Sequence, residues 1–93
     1  MAENDALVPP EDLVEVQRAW YAADAECARI GEALPSGSEV VAGVEAAPEQ
    51  VAELKAARAR RLQLTEDLLR HEWWGKVTDP IKAKKTLREA ARQ

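Results

Sequence analysis

The sequence is short of the residues that usually build a hydrophobic core. Of its 93 residues, nine are leucine, two isoleucine, eight valine and none phenylalanine. That share is about one fifth, the level below which chains tend to stay disordered. Eighteen alanines supply much of the remaining apolar content. Because alanine favours helix but buries little surface, we expect long helices around a thin core, within one small domain.

Cysteine and long apolar runs are also scarce. The single cysteine, Cys27, excludes an internal disulfide and is typical of a reducing compartment. No apolar run approaches the ~18 residues of a membrane span. Glu3 and Asp5 give the N-terminus the wrong charge for a secretory signal. We therefore expect a cytoplasmic protein.

The residue types that carry catalysis are sparse as well. His71 is the one histidine, and Gly75 stands where a zinc-binding His-Glu-x-x-His helix needs its second imidazole. The four glycines form no phosphate-binding loop. Cys27 lies on a predicted apolar face, without the base or cation that activates a thiolate. We expect no enzymatic activity, no metal, no cofactor and no small-molecule substrate.

Charge is distributed unevenly along the chain. Residues 1–50 contain eleven acidic and two basic residues, a net charge of −9, whereas residues 51–93 contain eleven basic and six acidic residues, a net charge of +5. Either the two halves attract each other or the basic half binds an anionic partner. The first explanation requires no partner, and it predicts that the halves lie side by side.

The strongest periodic pattern lies in the first half of the chain. Residues 1–8 show no periodicity, and we expect them to form a disordered N-terminal tail. From Pro10, apolar residues recur at alternating steps of three and four. The pattern continues to Leu34 and stops at Pro35, which cannot donate an amide hydrogen bond. It predicts a helix over about 10–34 with a narrow apolar face of the coiled-coil type.

A second apolar pattern predicts a helix over about 49–74, ended by Gly75. Two helices of similar length joined by one connection favour an antiparallel hairpin, here residues 9–74. The connection, 35–48, is long for a helix pair. We expect it to be a loop held in place by its valines.

The hairpin predicts which charges face each other. If Leu34 and Glu49 lie side by side at the loop end, two residues that face each other across the hairpin have numbers that sum to about 83. His71 then lies near Asp12, and Arg58 lies near Asp24 and Glu26. Exposed ion pairs stabilise a protein by only ~0.2–1 kcal/mol each, so we expect these pairs to set the register of the helices more than their stability.

A third, shorter helix is predicted in the last segment, 76–93. Thr78 or Asp79 can cap it, and Pro80 takes its first position. One face of this helix is weakly apolar and the other is basic. The basic residues are Lys82, Lys84, Lys85, Arg88 and Arg92.

Together these elements predict an all-α protein: an antiparallel helical hairpin with a short third C-terminal helix, pairing into a bundle. An alanine-rich hairpin buries few large side chains to offset an ordering cost of about 1–2 kcal/mol per residue. We therefore expect a homodimer, or docking on another protein, as a small interaction or adaptor module. The residues expected to contact the partner are Tyr21, Leu62, Leu69, Trp73 and Trp74.

Two features have a second interpretation. Adjacent helical residues diverge by roughly 100°, so Trp74 points away from the hairpin seam if Trp73 points into it. Trp74 can then anchor a partner protein or pack under the third helix. The basic face of the third helix can bind nucleic acid, which makes an accessory factor the alternative function, or face solvent or a partner protein. Membrane attachment is not implied, because few apolar side chains could insert.

Overall fold

The computed structural model of the chain describes residues 8–93, which fold into helices alone. The long helices α1 and α3 are joined by a short helix, α2, and a 3₁₀ helix precedes α4. Their bounds are Glu11–Ala33 for α1, Gly37–Val41 for α2, Pro48–Arg70 for α3, Glu72–Gly75 for the 3₁₀ helix and Pro80–Ala91 for α4. The predicted tail, residues 1–8, lies outside the described residues apart from Val8.

Helices α1 and α3 form the predicted antiparallel hairpin. Each has 23 residues, or about 35 Å at 1.5 Å per residue. Trp20 Nε1 donates a hydrogen bond to Thr65 Oγ1 at 2.8 Å, and Gln50 Nε2 donates to the Ala33 carbonyl at 3.4 Å. The residue numbers of these two pairs sum to 85 and 83. The predicted register therefore holds to within one helical turn.

The polar contacts across the hairpin match the sequence prediction in part. Within residues 8–93, Arg61 Nη1 of α3 forms an ion pair with Asp24 Oδ1 of α1 at 2.6 Å, and His71 Nε2, just after α3, donates a hydrogen bond to Asp12 Oδ2 at 3.0 Å. The prediction for His71 and Asp12 is confirmed. The prediction that Arg58 faces Asp24 is wrong, because the register near Asp24 is shifted by two residues and brings Arg61 to it instead. Arg58 is left exposed.

We expect the free energy of unfolding to show a coupling between Asp24 and Arg61. Their side chains are 48% and 34% exposed, so solvent screening limits the coupling to about 0.2–1 kcal/mol. Urea unfolding of a double-mutant cycle with Asp24→Ala and Arg61→Ala measures it. The same cycle with Arg58→Ala is the control, with a coupling near zero. Equal couplings for the two arginines would contradict the observed pairing.

The connection between α1 and α3 contains a helix rather than a loop held by its valines. Ser36 Oγ accepts the Glu39 amide at 3.3 Å, and the Glu39 carboxylate accepts the Ser36 amide at 3.2 Å, a capping box that begins α2. Gly43 then turns the chain at a φ of 95°, a conformation that glycine adopts without strain. No residue of α2 is buried, and Val41 is 89% exposed. The local capping signal, not burial, therefore forms this segment.

Helix α3 ends at Arg70, four residues before the predicted end. His71 adopts an extended backbone conformation, and its Nδ1 accepts the Trp73 amide hydrogen bond at 3.0 Å. This side-chain cap begins the 3₁₀ helix. Trp73 and Trp74 therefore do not continue the face of α3 but turn toward α4.

The buried apolar residues of the described chain form two separate clusters, apart from Ala23, which is buried between them. At the level of Ala23 lies a polar layer made by the Trp20–Thr65 hydrogen bond and the Asp24–Arg61 ion pair. The cluster at the loop end of the hairpin comprises Cys27, Ile30, Leu54 and Ala57. The cluster at the other end comprises Leu13, Val14, Trp73, Ala83, Leu87 and Ala91. The thin core is thus divided along the length of the molecule, which measures 62 Å.

Helix α4 packs against the N-terminal half of α1. The Asp79 side chain caps it by accepting a main-chain amide at 3.1 Å, as predicted. Leu87 is 2% exposed and is the largest buried side chain of the helix. At the other end, Arg18 donates to the main-chain oxygens of Ala90 and Gln93 at 3.4 and 3.3 Å. The Ala90 carbonyl also accepts the Gln93 amide at 3.4 Å, and the added hydrogen bonds from Arg18 fix the end of α4 on α1.

Candidate functional site

The five residues predicted to contact a partner lie partly in the core and partly on the surface. Leu62 and Leu69 of α3 are 60% and 68% exposed. Trp73 is 3% exposed within the cluster beneath α4. The turn at His71 directs the Trp73 ring into this cluster. Trp73 is therefore a core residue and does not face a partner, which corrects the prediction from a continuous α3.

Trp74 and Tyr21 are half-buried at the edge of the same cluster. Trp74 Nε1 donates to the Leu68 carbonyl at 2.6 Å. Tyr21 lies beneath the guanidinium group of Arg92, whose Cζ is 5.7 Å from the ring centroid, within the range of a cation–π contact. Of the two interpretations of Trp74, the structure favours packing beside α4.

An open groove separates α3 from α4, because α1 packs against both helices while they barely touch each other. It has two continuous parts with volumes of about 410 and 200 Å³, which share Gln17, Leu68 and Arg88. We call it the α3–α4 groove. The side chains that define it are Gln17 and Tyr21 of α1, Thr65, Leu68 and Leu69 of α3, and Lys84, Arg88 and Arg92 of α4.

The floor of the groove includes a residue that the sequence pattern did not predict to be buried. Gln17 is 8% exposed, although the periodicity of α1 assigns it to the polar side. It is covered because α4 packs on that side of α1, where Val14 is buried as well. The adjacent apolar pair Leu13 and Val14 was the available signal, since one narrow apolar face cannot contain both residues.

All five basic residues of α4 are exposed. Among the described residues none of them takes part in an ion pair. Lys84, Arg88 and Arg92 follow one another at intervals of four and form one wall of the α3–α4 groove. Lys82 and Lys85 do not line it. The basic face predicted from the sequence is therefore divided between the groove and open solvent.

A second exposed surface runs along α3. Val51, Leu62 and Leu69 lie within about 20° of one another around the helix and are 51%, 60% and 68% exposed. We call these three residues the α3 stripe. Leu69 also borders the α3–α4 groove, so the two surfaces meet at the C-terminal end of α3.

The single histidine closes the open end of the hairpin. Its Nδ1 accepts the Trp73 amide, so the ring proton is on Nε2, which donates to Asp12. This hydrogen bond lowers the pKa of the Asp12 carboxyl below its usual value. Both ring nitrogens of His71 are therefore used in hydrogen bonds, one that begins the 3₁₀ helix and one that links this turn to α1. In the part of the chain that the structure describes, no group of three or more potential metal ligands is assembled.

Cys27, the other reactive side chain, lies in the cluster at the loop end of the hairpin and is 7% exposed. Its thiol is packed among apolar side chains, the environment of a structural rather than a nucleophilic cysteine. No described helix combines the length and hydropathy of a transmembrane segment.

The fold defines a small all-α protein in which a helical hairpin carries a third helix and an open groove. The chain belongs to the family described as a domain of unknown function (DUF8825), whose family model matches residues 12–90. Neither the curated proteins nor the solved structures include a match to the chain. The family match extends from the first turn of α1 to the last turn of α4, so it contains the α3 stripe and all of the groove except Arg92.

Proposed function

We propose that the chain is a small, non-catalytic protein-binding module of the adaptor type, and that it self-associates through the α3 stripe. The observation that carries the proposal is the alignment of Val51, Leu62 and Leu69, each more than half exposed, on one side of α3. They extend over about 27 Å of helix. Aligned apolar side chains left open on a small protein are typical of an interaction surface.

The thin core supports self-association. The loop-end cluster has Ile30 and Leu54 as its only large aliphatic residues below one tenth exposed. Small domains with few buried large side chains commonly gain stability by oligomerisation. A second copy that covers the α3 stripe would add apolar burial along the part of α3 where the core is thinnest.

The sequence of α3 allows a symmetric contact. A two-fold axis beside residue 60 would place Val51 of one copy opposite Leu69 of the other, because the same patch meets itself in such a dimer. In that register Lys55 of one copy lies opposite Thr65 of the other and beside Glu66, to which it is attracted. Arg58 lies opposite Leu62 and can cover it with the aliphatic part of its side chain.

Leu62→Lys tests self-association. We expect the wild-type chain to be a dimer and this variant to be a monomer, with the dissociation constant raised about 100-fold or more because the leucine is lost from both copies. Its circular dichroism should be unchanged, since lysine is a good helix former at an exposed position. Light scattering over a concentration series measures the mass.

Gln63→Lys is the matched control, because it introduces the same charge at the next position, outside the α3 stripe. It should remain a dimer. A monomeric wild-type chain, or a Leu62→Lys variant that stays dimeric, would disprove self-association through this surface.

A second candidate function is nucleic-acid binding by α4. The exposure of Lys82, Lys84, Lys85, Arg88 and Arg92 favours it, since such cations release counterions from phosphates. The net charge of −4 and the position of Arg92 over the Tyr21 ring favour protein binding. An affinity for single-stranded DNA or RNA that falls steeply with salt, and is abolished by deletion of residues 76–93, would support the nucleic-acid function.

A further inference from the structure

The α3–α4 groove combines three cations on one wall with an apolar wall opposite. Lys84, Arg88 and Arg92 are separated by one helical turn each and extend over about 12 Å. Within residues 8–93, no acidic residue lines the groove. The groove is therefore locally positive in a chain whose net charge is −4. This local charge favours a negatively charged occupant.

The opposite wall is apolar apart from Thr65, and the floor contains the Tyr21 ring beside the Gln17 amide. Leu68 and Leu69 of α3 face the basic wall, and Trp74 and Leu87 close one end of the groove. An occupant that matches both walls presents acidic groups toward α4 and apolar side chains toward α3. An amphipathic peptide segment has this division of its two sides.

The floor also contains an unused hydrogen-bonding group. The Tyr21 hydroxyl is buried without a partner among the residues that the structure describes, although buried polar groups are almost always hydrogen-bonded. Tyr21 lines the groove beside Arg88 and Arg92. Because this oxygen has almost no accessible surface, a carboxylate bound between the two guanidinium groups would accept its hydrogen bond only after a shift of the Tyr21 side chain.

We propose that the α3–α4 groove binds an acidic amphipathic peptide segment of a partner protein. The carboxylates of the segment pair with Lys84, Arg88 and Arg92, and its apolar side chains pack on Leu68 and Trp74. This proposal depends on the proposed function as a protein-binding module, but it does not depend on self-association. The adaptor would then bind a second copy of itself through the α3 stripe and an acidic partner through the α3–α4 groove.

Nucleic acid fits the groove less well, because the aromatic rings are already engaged. Base binding on single strands requires exposed ring faces for stacking. Arg92 covers the Tyr21 ring, and Trp20 packs edge-on against Tyr21 with its Nε1 bound to Thr65. The Trp74 indole is fixed by its hydrogen bond to the Leu68 carbonyl.

The probe is a fluorescently labelled amphipathic peptide of about four helical turns, with leucine on one face and glutamate on the other. We expect the full chain to bind it and not to bind the same peptide with lysine in place of glutamate, or with serine in place of leucine. Arg88→Glu should weaken binding about tenfold or more, because a charge-assisted contact in the groove wall is reversed.

Lys85→Glu is the matched control, because it makes the same change of charge on the same helix at a position that does not line the groove. It should change the affinity about twofold or less. Equal losses in the two variants would show non-specific attraction and overturn the proposal. Failure of the wild-type chain to bind the glutamate peptide, or tighter binding of a single-stranded oligonucleotide, would also overturn it.

Two further measurements identify other occupants. Deletion of residues 1–7, which include Glu3 and Asp5, should leave the affinity unchanged; an increase of about tenfold or more would assign the groove to this segment of the chain itself. A second copy of the chain that occupied the groove would compete with the peptide. Peptide affinity that falls as the protein concentration rises would therefore assign the groove to a second copy. Either result overturns a partner peptide as the occupant.

The test separates this proposal from self-association. Leu62→Lys, whose position does not line the groove, should lose dimerisation and keep the peptide affinity. Arg88→Glu should keep the dimer mass and the circular dichroism of the wild-type chain. Loss of peptide binding in Leu62→Lys would show that the groove requires the dimer, contrary to the proposal.

Discussion

Replacement of Trp73 with alanine should lower the free energy of unfolding by about 3–5 kcal/mol. Trp73 is 3% exposed and lies in the cluster beneath α4. Small domains are stable by only about 5–15 kcal/mol in total, so this substitution should leave a marginally stable chain. Urea unfolding followed by far-ultraviolet circular dichroism measures the change without relying on tryptophan fluorescence.

Trp73→Phe is the control for this prediction. Trp73 Nε1 is buried and has no hydrogen-bond partner in the described part of the chain, so phenylalanine keeps an aromatic ring in the cluster and loses no hydrogen bond seen there. It should destabilise the protein clearly less than alanine does. Equal destabilisation by phenylalanine and alanine, or wild-type stability in Trp73→Ala, would mean that the indole does not fill the core in the way the structure shows.

The two long helices and their antiparallel arrangement could be predicted because they depend on local periodicity and matched length. The apolar steps from Leu13 to Ile30 describe one face of one helix, and α3 has the same number of residues as α1. The register was less accurate near the middle of the hairpin. The predicted register assumed that the two helices are aligned at the loop end. The observed register is determined by the contacts of Trp20 and Asp24 with α3.

The end of α3 could not be predicted from helix propensity. Leu68 and Leu69 continue an apolar pattern toward Trp73, and Gly75 is the obvious stop. The helix ends instead at Arg70, because the His71 side chain competes for a backbone amide and begins a tighter turn. Histidine is not among the common capping residues, so this turn carries no clear sequence signal.

The α3–α4 groove was also beyond sequence patterns, although its basic residues were identified. Its existence depends on which side of α1 receives α4. That choice is made by long-range contacts, chiefly the burial of Leu87 and the hydrogen bonds from Arg18 to the end of α4. Ala83 and Ala91 give α4 an apolar face too small to indicate its neighbour. The exposed state of Leu62 and Leu69, in contrast, follows from their angular position on α3.

The position of α4 links the stability of the molecule to its proposed partner binding. One wall of the groove is α4 itself, and α4 has twelve residues, a length at which an isolated helix is marginal in water. The basic wall therefore exists only while α4 is docked on α1. An acidic partner that binds this wall should in turn hold α4 in place, since a ligand stabilises the state to which it binds.

Replacement of Leu87 with alanine should therefore lower the free energy of unfolding by about 2–5 kcal/mol and release α4. Leu87 is 2% exposed and is the one large side chain that anchors α4, whose other buried residues are alanines. We expect hydrogen exchange to accelerate in α4 and the groove to lose its affinity for the glutamate peptide. Protection should persist at the loop-end cluster, because the polar layer at Trp20 and Asp24 separates it from α4.

Ile81→Ala is the matched control for Leu87→Ala. It removes an aliphatic side chain from the same helix at a position that is 83% exposed, so it should change the stability by about 0.5 kcal/mol or less. Its peptide affinity should equal that of the wild-type chain. If both substitutions destabilised the protein equally, α4 would not pack through its Leu87 face. The basic wall would then have no fixed position, and the α3–α4 groove could not select an acidic segment by its shape.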